Sequence, residues 1–386
     1  MAMEAPPEEV YLFVGGTRPE AVKLSPVIFA MRARGRRAVL VATGQHPLLF
    51  HQTLADFGLV ADIDLSMGGG EGGPAGLLAR LLPALAGVID RAGPVAVVVQ
   101  GDTTSALAGA LAGAYAAVPV VHVEAGLRTG RSDPFPEEMH RKLIGQVAAL
   151  HMAPTVAAVR ALAAEGVAAA DVVMTGNSGI DALLWMVARL AREPGLMADL
   201  QARFAGIDFG RPVVLATVHR RENHGAPLDH VLRALEVLAG EAEIVMPVHP
   251  HPAVTGPVWA RLGACAGVHL LPPLDYPAFV WLMGRATLAL TDSGGVQEEA
   301  PALGLPVLVL RRSTERPEGV ASGNARMVGT DCGAILAAVR ALMGGGLAAM
   351  AEPALPYGMG DAGVRMADAM LGRFGTLSAV PHRATA

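Results

Sequence analysis

Between Val95 and Arg141 the chain reads VAVVVQGDTTSALAGALAGAYAAVPVVHVEAGLRTGRSDPFPEEMHR, and this stretch leaves few folds open. Two short apolar runs, Val95–Val99 and Val118–Val123, each stop at a carboxylate: Asp102 in GDT and Glu124 in HVEAG. Between them Thr103–Ala117 is rich in Ala and Leu and reads as a helix, with Asp102 or Thr103 able to cap it. Strand, helix, strand implies a right-handed crossover between parallel strands. Both carboxylates then fall at the carboxyl edge of one sheet, where open α/β sheets bind ligands. A further acidic pair, Glu137–Glu138, follows a Pro- and Gly-containing loop. Three acidic points around one sheet edge suit acid–base chemistry on a polar, anionic substrate.

The same stretch raises a membrane alternative. Its longest apolar run, about Ala106–Val123, approaches the length of a bilayer span. It is made of small residues, is broken by Pro119 and is bounded by Asp102 and Glu124, which fits a buried helix plus strand better. The amino terminus, MAMEAPPEEV, has acidic residues and prolines before its first apolar run, the reverse of a signal peptide. A net charge of −5 and 4% aromatic residues argue against nucleic-acid binding. Two cysteines, Cys265 and Cys332, build neither a disulfide framework nor a cysteine metal site. The expected setting is cytoplasmic.

The 386 residues suggest two domains. Tyr11–Val14 reads as a strand running through GGTRPEAVKLSPV into a helix. Its start offers N–H groups to an anion, with Arg18 and Lys23 adding positive charge, although a plain strand–helix turn reads the same way. Ala38–Ala42 is a strand ending in TGQHP, which places Gln45 and His46 on a ligand-edge loop. MGGGEGGPAG is a flexible loop before a helix over Leu77–Arg91. Leu143–Ala149 reads as helical, His151–Ala153 and Val172–Met174 as strands, and Asp181–Phe204 as one long helix. Alternation then restarts, with strands at Val213–Thr217, Ile244–Val248, Val268–Leu271, Thr287–Leu290 and Val307–Leu310. The expected fold is α/β: two Rossmann-like domains with a cleft between them, residues 1–178 plus a carboxyl-terminal helix in 364–386, and residues 179–363.

In the second half, TDSGGVQEEAPALG sets Ser293, Gly294 and Gly295 between a strand and a helix, suited to a diphosphate. Glu298 or Glu299, one turn in, suits ribose hydroxyls. Arg312 and Arg316 add charge. There is no GxxxxGK[ST] and no complete GxGxxG before a helix, so neither a P-loop nor bound NAD is expected. His219, first of HRREN, has a pKa range suited to function. His249 and His251 in HPHP lack a recognisable third ligand, so no metal is expected.

GTRPEAVKLSPV, TGQH, QGDTTSALA, VHVEAGLRTG, PFPEEMHRKL, TGNSGIDAL, HRREN, PVHPHP, TDSGGVQEEAPALGLPVLVLR, TERPEG and VGTD occur in order. This set closely resembles the bacterial non-hydrolysing UDP-N-acetylglucosamine 2-epimerases over about Tyr11–Phe374. The resemblance implies a GT-B-like fold, a homodimer, and interconversion of UDP-GlcNAc and UDP-ManNAc without a cofactor. It places catalytic carboxylates at Asp102, Glu124 and Glu137 and the motif histidine at His219. It also places Arg18 and Lys23 near the phosphates and active centre, Ser293 and Glu299 on diphosphate and ribose, Phe279 by the uracil, and Arg316 on the nucleotide side. Gly294 and Gly295 belong to the same diphosphate turn. Many relatives bind a second UDP-GlcNAc as activator, and Gln45, His46, Arg80 and Arg220 are consistent with that site.

The chain departs from the family pattern in four places. Gly15 stands where a bulkier residue is usual, Gly130–Asp133 is one residue shorter, His251 replaces a common Asn, and Pro47–Leu48 replace polar residues. Hydrolysing 2-epimerases, which release ManNAc and UDP, share much of the pattern. So does a variant acting on a UDP-linked 2,3-diacetamido uronic acid. A GT-B glycosyltransferase would share the DSGG contacts without needing all three carboxylate motifs.

Overall fold

The computed structural model describes residues 9–130 and 135–375. The amino-terminal segment up to residue 8, most of the Gly130–Asp133 loop and residues beyond 375 lie outside the described residues. The chain divides into two compact units, Met1–Ala182 with Gly358–Ala386, and Leu183–Tyr357.

The first unit alternates strand and helix. In order it has β1 (Val10–Gly15), α1 (Arg18–Ala33), β2 (Arg37–Ala42), α2 (Pro47–Asp56), β3 (Ile63–Asp64), α3 (Gly73–Ala92) and β4 (Ala96–Gln100). It continues with α4 (Thr104–Tyr115), β5 (Val120–Val123), α5 (Glu137–Val147), β6 (Leu150–Ala153), α6 (Val156–Ala164) and β7 (Val172–Met174). All pairings are parallel, in the order β3-β2-β1-β4-β5-β6-β7. The order reverses between β1 and β4, the switch point at which doubly wound sheets open a crevice. Every residue of β1, β4 and β5 is buried, as expected of parallel strands covered on both faces. On one face Val10, Leu12, Val14, Val97 and Val99 meet Leu81, Leu85, Val88 and Ile89 of α3 and the Ala-rich α4. The apolar run Ala106–Val123 is therefore a buried helix and strand. Its small residues have a packing reason, since a Cβ on Gly109 would lie 2.8 Å from Val99 Cγ1 and 3.2 Å from Val14 Cβ.

The chain leaves this unit within α7 (Ser178–Arg192). The second unit holds α8 (Pro194–Arg203), β8 (Val213–Thr217), α9 (Ala226–Leu238), β9 (Glu243–Pro247), α10 (Pro252–Leu262), β10 (Val268–Leu271) and α11 (Tyr276–Met283). After these come β11 (Leu288–Thr291), α12 (Gly294–Glu299), β12 (Val307–Val309), α13 (Pro317–Ala321), β13 (Ala325–Met327) and α14 (Cys332–Ala341). Its sheet is also wholly parallel, β10-β9-β8-β11-β12-β13, with the switch between β8 and β11. The last helix, α15 (Ala362–Phe374), belongs to the first unit. Gly363 lets it close on α1, because a Cβ there would come 2.8 Å from Pro26 O.

Several elements differ from the sequence expectation. Asp181–Phe204 is two helices, because Pro194 cannot continue the first and begins the second. The helix expected at Leu143–Ala149 starts at Glu137, which carries the PEE carboxylates onto its first turn. Val296–Leu303 is the short α12 followed by a 3₁₀ turn, Ala300–Leu303. The helices α2, α10 and α13 and the strands β3 and β13 were not anticipated.

Replacing Gly109 by Val should lower the unfolding free energy by about 1–3 kcal/mol through overpacking against Val99 and Val14. Gly195→Ala, where nothing lies within 4 Å, should be neutral or slightly stabilising. Urea unfolding measures both, and equal stabilities would remove the packing account of α4.

Candidate active site

At the carboxyl edge of the first sheet, Gly101 (φ 71) turns the chain out of β4 and presents Asp102. Glu124 directly follows β5 and is itself left-handed (φ 65), a costly state for a residue with a Cβ that persists where surroundings enforce it. Gln100 Nε2 donates to Glu124 Oε2, and the Lys23 ammonium donates to Oε1. Lys23 is buried inside α1. Asp102 Oδ2 accepts from Arg141 Nε at 2.7 Å, and Arg141 also reaches Glu138 at 3.2 Å. The backbone of this turn is held from below: His122 Nε2 donates to Gly101 O and His140 Nδ1 to Asp102 O, both at 2.8 Å. Burial pushes His122 down to about 3, so it stays neutral and serves as a donor.

Glu137 opens α5. Residues four apart share a helix face, so Glu137 lies one turn before Arg141, the residue that bonds Asp102. Among the described residues its Oε2 is buried without a hydrogen-bond partner. Asp102 and Glu124 thus stand at one edge, with Lys23 on the second of them, and Glu137 opens the helix whose Arg141 reaches the first.

The turn after β1 differs from the expected open anion cradle. Gly16 N and Thr17 N donate to Glu20 Oε2 at 3.1 and 2.8 Å, a T-x-x-E capping arrangement that fills the helix start with the chain's own carboxylate. Arg18 is the first residue of α1 and is half-buried. Gly16 is needed for contact with Thr43 and Ser105, since a Cβ would overlap Thr43 Oγ1. At Gly15 the Phe50 ring lies 3.1 Å from where a Cβ would be, filling the space a larger side chain would take.

In the second unit, the fully buried Asp292 links the loops after β8 and β11. It accepts from His219 N at 3.0 Å, Arg220 N at 2.9 Å and Asn223 Nδ2 at 2.9 Å. His219 Nδ1 lies 3.3 Å from Asp292 Oδ1, and its ring stacks on His249. Burial pushes His219 below the ordinary imidazole range, with Asp292 acting in the opposite direction. Ser293 caps α12, and the Arg316 guanidinium lies over Gly294 so closely that a Cβ there would sit 2.5 Å from Cζ. At Gly295, which follows, a Cβ would lie 3.9 Å from Ser293 Oγ, an ordinary contact. Arg316 is fixed by Glu298 at 2.6 Å and by Glu315. Glu315 also takes Arg311 at 2.7 Å and Arg220 at 3.4 Å, and these three cations hold its carboxyl far below the usual range. Glu299 accepts from Tyr276 at 3.3 Å, and Phe279 lies one turn along α11 from that tyrosine.

The four residues considered for a second site have structural partners. Gln45 Oε1 accepts from Ser105 N and Oγ at 3.1 and 2.7 Å. His46 stands at the N-cap position of α2 and its N donates to Gly16 O at 2.8 Å, with Pro47 as the first residue of the helix and Leu48 exposed. Arg80 clasps carbonyls of the Met67–Glu71 loop, and Arg220 reaches Glu315. His251 takes the helix-capping role that an Asn fills well, its Nδ1 accepting from Ala253 N at 3.2 Å.

Residues 30–371 match the sequence profile of the family described as UDP-N-acetylglucosamine 2-epimerase. The UDP-N-acetylglucosamine 2-epimerases of Escherichia coli and Salmonella typhimurium are 42% and 40% identical over 93% of this chain and 97% of theirs. The chain belongs to the UDP-N-acetylglucosamine 2-epimerase family. The crystal structure of the family member from Neisseria meningitidis, bound to UDP-GlcNAc, superposes with a TM-score of 0.90 at 36% identity, covering 94% of this chain and 99% of that one. The epimerase fold of two parallel α/β sheets is thus the one found here.

Sequence reasoning did not single out Glu20, Gln100, His122, His140, Arg141, Asp292, Glu315 or Arg311. The T-x-x-E spacing signals Glu20, and the three-residue spacing of Glu138 and Arg141 signals that pair. The partners of the others come from distant segments and leave no local mark.

Burial raises Glu20 from 4.5 to about 7, so the folded chain holds this proton more tightly than the unfolded one. Its contribution to stability is complete below about pH 4.5 and is lost as pH rises through about 7. Unfolding free energy measured across that window should fall more steeply with pH in the wild type than in Glu20→Gln; identical slopes would count against Glu20 as the source.

Proposed function

We propose that the protein epimerises UDP-N-acetylglucosamine reversibly at carbon 2, giving UDP-N-acetylmannosamine. The observation that carries this reading is the placement of Asp102 and Glu124 at the ends of two adjacent parallel strands, with Arg141 of the helix that Glu137 opens bonded to Asp102. The carbon-2 proton has no neighbouring carbonyl to stabilise a carbanion. It is removed by a carboxylate as the carbon-1–oxygen bond to UDP breaks, and the electron pair of the C–H bond becomes the carbon-1–carbon-2 double bond of a glycal. A second acid returns a proton to the opposite face of carbon 2 as UDP re-adds at carbon 1, so nothing is oxidised or reduced. This route needs a base, an acid and a grip on the leaving diphosphate.

Lys23 and Gln100 orient Glu124, and Arg141 orients Asp102, by donating to them. The Ser293–Gly295 turn, Arg316 and His219 supply the diphosphate grip, with Arg18 as a further cation. Glu299 and Phe279 suit the ribose and uracil. The protein acts as a homodimer in this reading, and a second UDP-GlcNAc near Gln45, His46, Arg80 and Arg220 would act as activator.

Proton NMR with UDP-GlcNAc in deuterium oxide is the direct test. UDP-ManNAc should appear, with deuterium at carbon 2 of both sugars and UDP attached. Accumulation of free ManNAc and UDP would instead identify a hydrolysing enzyme, and absence of exchange would turn attention to a diacetamido uronic acid or to a transferase. Asp102→Asn, Glu124→Gln and Glu137→Gln should each lower turnover by about 10²-fold or more while UDP still binds by calorimetry. Wild-type rates in all three would remove the site assignment.

Gly294→Ala should push Arg316 off the diphosphate turn and weaken UDP binding about tenfold, the equivalent of about 1.4 kcal/mol. Unchanged affinity would mean that Arg316 does not contact the nucleotide.

A further inference from the structure

We propose that Glu20 is a positioning residue for the reaction: its carboxylate ties the turn that carries Arg18 to the turn that carries Asp102. This inference rests on the epimerase reading above and adds a residue that is not part of the acid–base set.

Glu20 is completely buried, so it touches no substrate. Both its oxygens are used, and by different loops. Oε2 accepts from Gly16 N at 3.1 Å, Thr17 N at 2.8 Å and Thr17 Oγ1 at 2.7 Å, all in the turn after β1. Oε1 accepts from Thr103 Oγ1 at 2.6 Å, in the turn after β4. Thr103 follows Asp102 directly, and its Oγ1 in turn accepts from Ala106 N at 2.9 Å, so the same hydroxyl also caps α4. Arg18 lies between Thr17 and Glu20 in the chain. One carboxylate therefore sets the separation of a proposed phosphate-side cation and a proposed acid–base carboxylate across the β1/β4 switch point.

The second unit repeats the device with other residues. There Asp292, in the turn after β11, accepts from the backbone of His219 and Arg220 in the turn after β8. Strands β8 and β11 flank the switch point of that sheet as β1 and β4 do in the first. Burying a carboxylate is costly unless donors surround it. Burial has raised Glu20 to about 7, so the tie stands at that cost. A misplacement of about 1 Å at reacting groups lowers rates by about 10²-fold, and this is the lever that a positioning residue holds.

Carbon-2 exchange, UDP affinity and melting temperature should be measured together for Thr103→Val, Thr103→Ser, Glu20→Ala and wild type. Thr103→Val removes the bond to Oε1 and the cap on α4 and leaves the three bonds on Oε2, so it remains informative if Glu20→Ala fails to fold. We expect Thr103→Val and Glu20→Ala to lower kcat by about 10- to 100-fold, with KM and the UDP Kd of Thr103→Val within about threefold of wild type. Thr103→Ser, which keeps the hydroxyl, should restore the rate. If Thr103→Val lowers melting temperature but the folded protein turns over at the wild-type kcat, Glu20 is structural only and the proposal is wrong. In Thr103→Val, which leaves the bonds to the Arg18 turn in place, a fall in UDP affinity parallel to the fall in kcat would overturn it equally, as general damage. Wild type is the separate control: no exchange there would defeat the epimerase reading itself and this inference with it.

Discussion

A parallel sheet delivers the end of every strand to one edge, and a buried carboxylate then fixes neighbouring loops there. Both units depend on this pairing. In the first, Glu20 joins the turns after β1 and β4; in the second, Asp292 joins those after β8 and β11. Loops leaving a parallel sheet have no ladder of their own, so their backbone N–H groups need acceptors. A carboxylate satisfies several at once and is strongest where water is excluded. Such an acceptor joins the Arg18 turn to the Asp102 turn, and the β8 turn bearing His219 to the β11 turn.

Around this frame the charged side chains occur as paired sets. Lys23 and Gln100 meet Glu124, Arg141 spans Asp102 and Glu138, and Glu315 gathers Arg220, Arg311 and Arg316. Such sets contribute little net stability, because desolvation offsets much of the Coulomb attraction. Their use is geometric. Each holds a charge in a fixed direction, the kind of preorganisation on which electrostatic catalysis relies. The left-handed backbone of Glu124 fits this account: a non-glycine residue is held in an unfavourable conformation at the position where its carboxylate meets Lys23.

The small residues around these sets serve approach rather than flexibility. Gly294 admits Arg316 to the turn after β11, Gly109 lets α4 press onto β4, and Gly363 lets α15 close on α1. Gly15 and Phe50 exchange volume between a strand end and the neighbouring helix.

The alternation of apolar runs with Ala- and Leu-rich segments determined the parallel α/β class, since period and length alone separate such strands from helices. Carboxylates placed directly after apolar runs determined that Asp102 and Glu124 would share an edge, because strand ends in a parallel sheet always do. Pro194 was visible in the long Asp181–Phe204 pattern, yet the break it makes was read through, as was the early start of α5 at Glu137. What only the tertiary structure decided was which side chains meet. Lys23 lies 101 residues from Glu124, Glu20 83 residues from Thr103 and Asp292 73 residues from His219. Spacing in the chain carries contacts within a helix face or a turn. Contacts across a switch point are set by strand order, and strand order exists only once the sheet has formed.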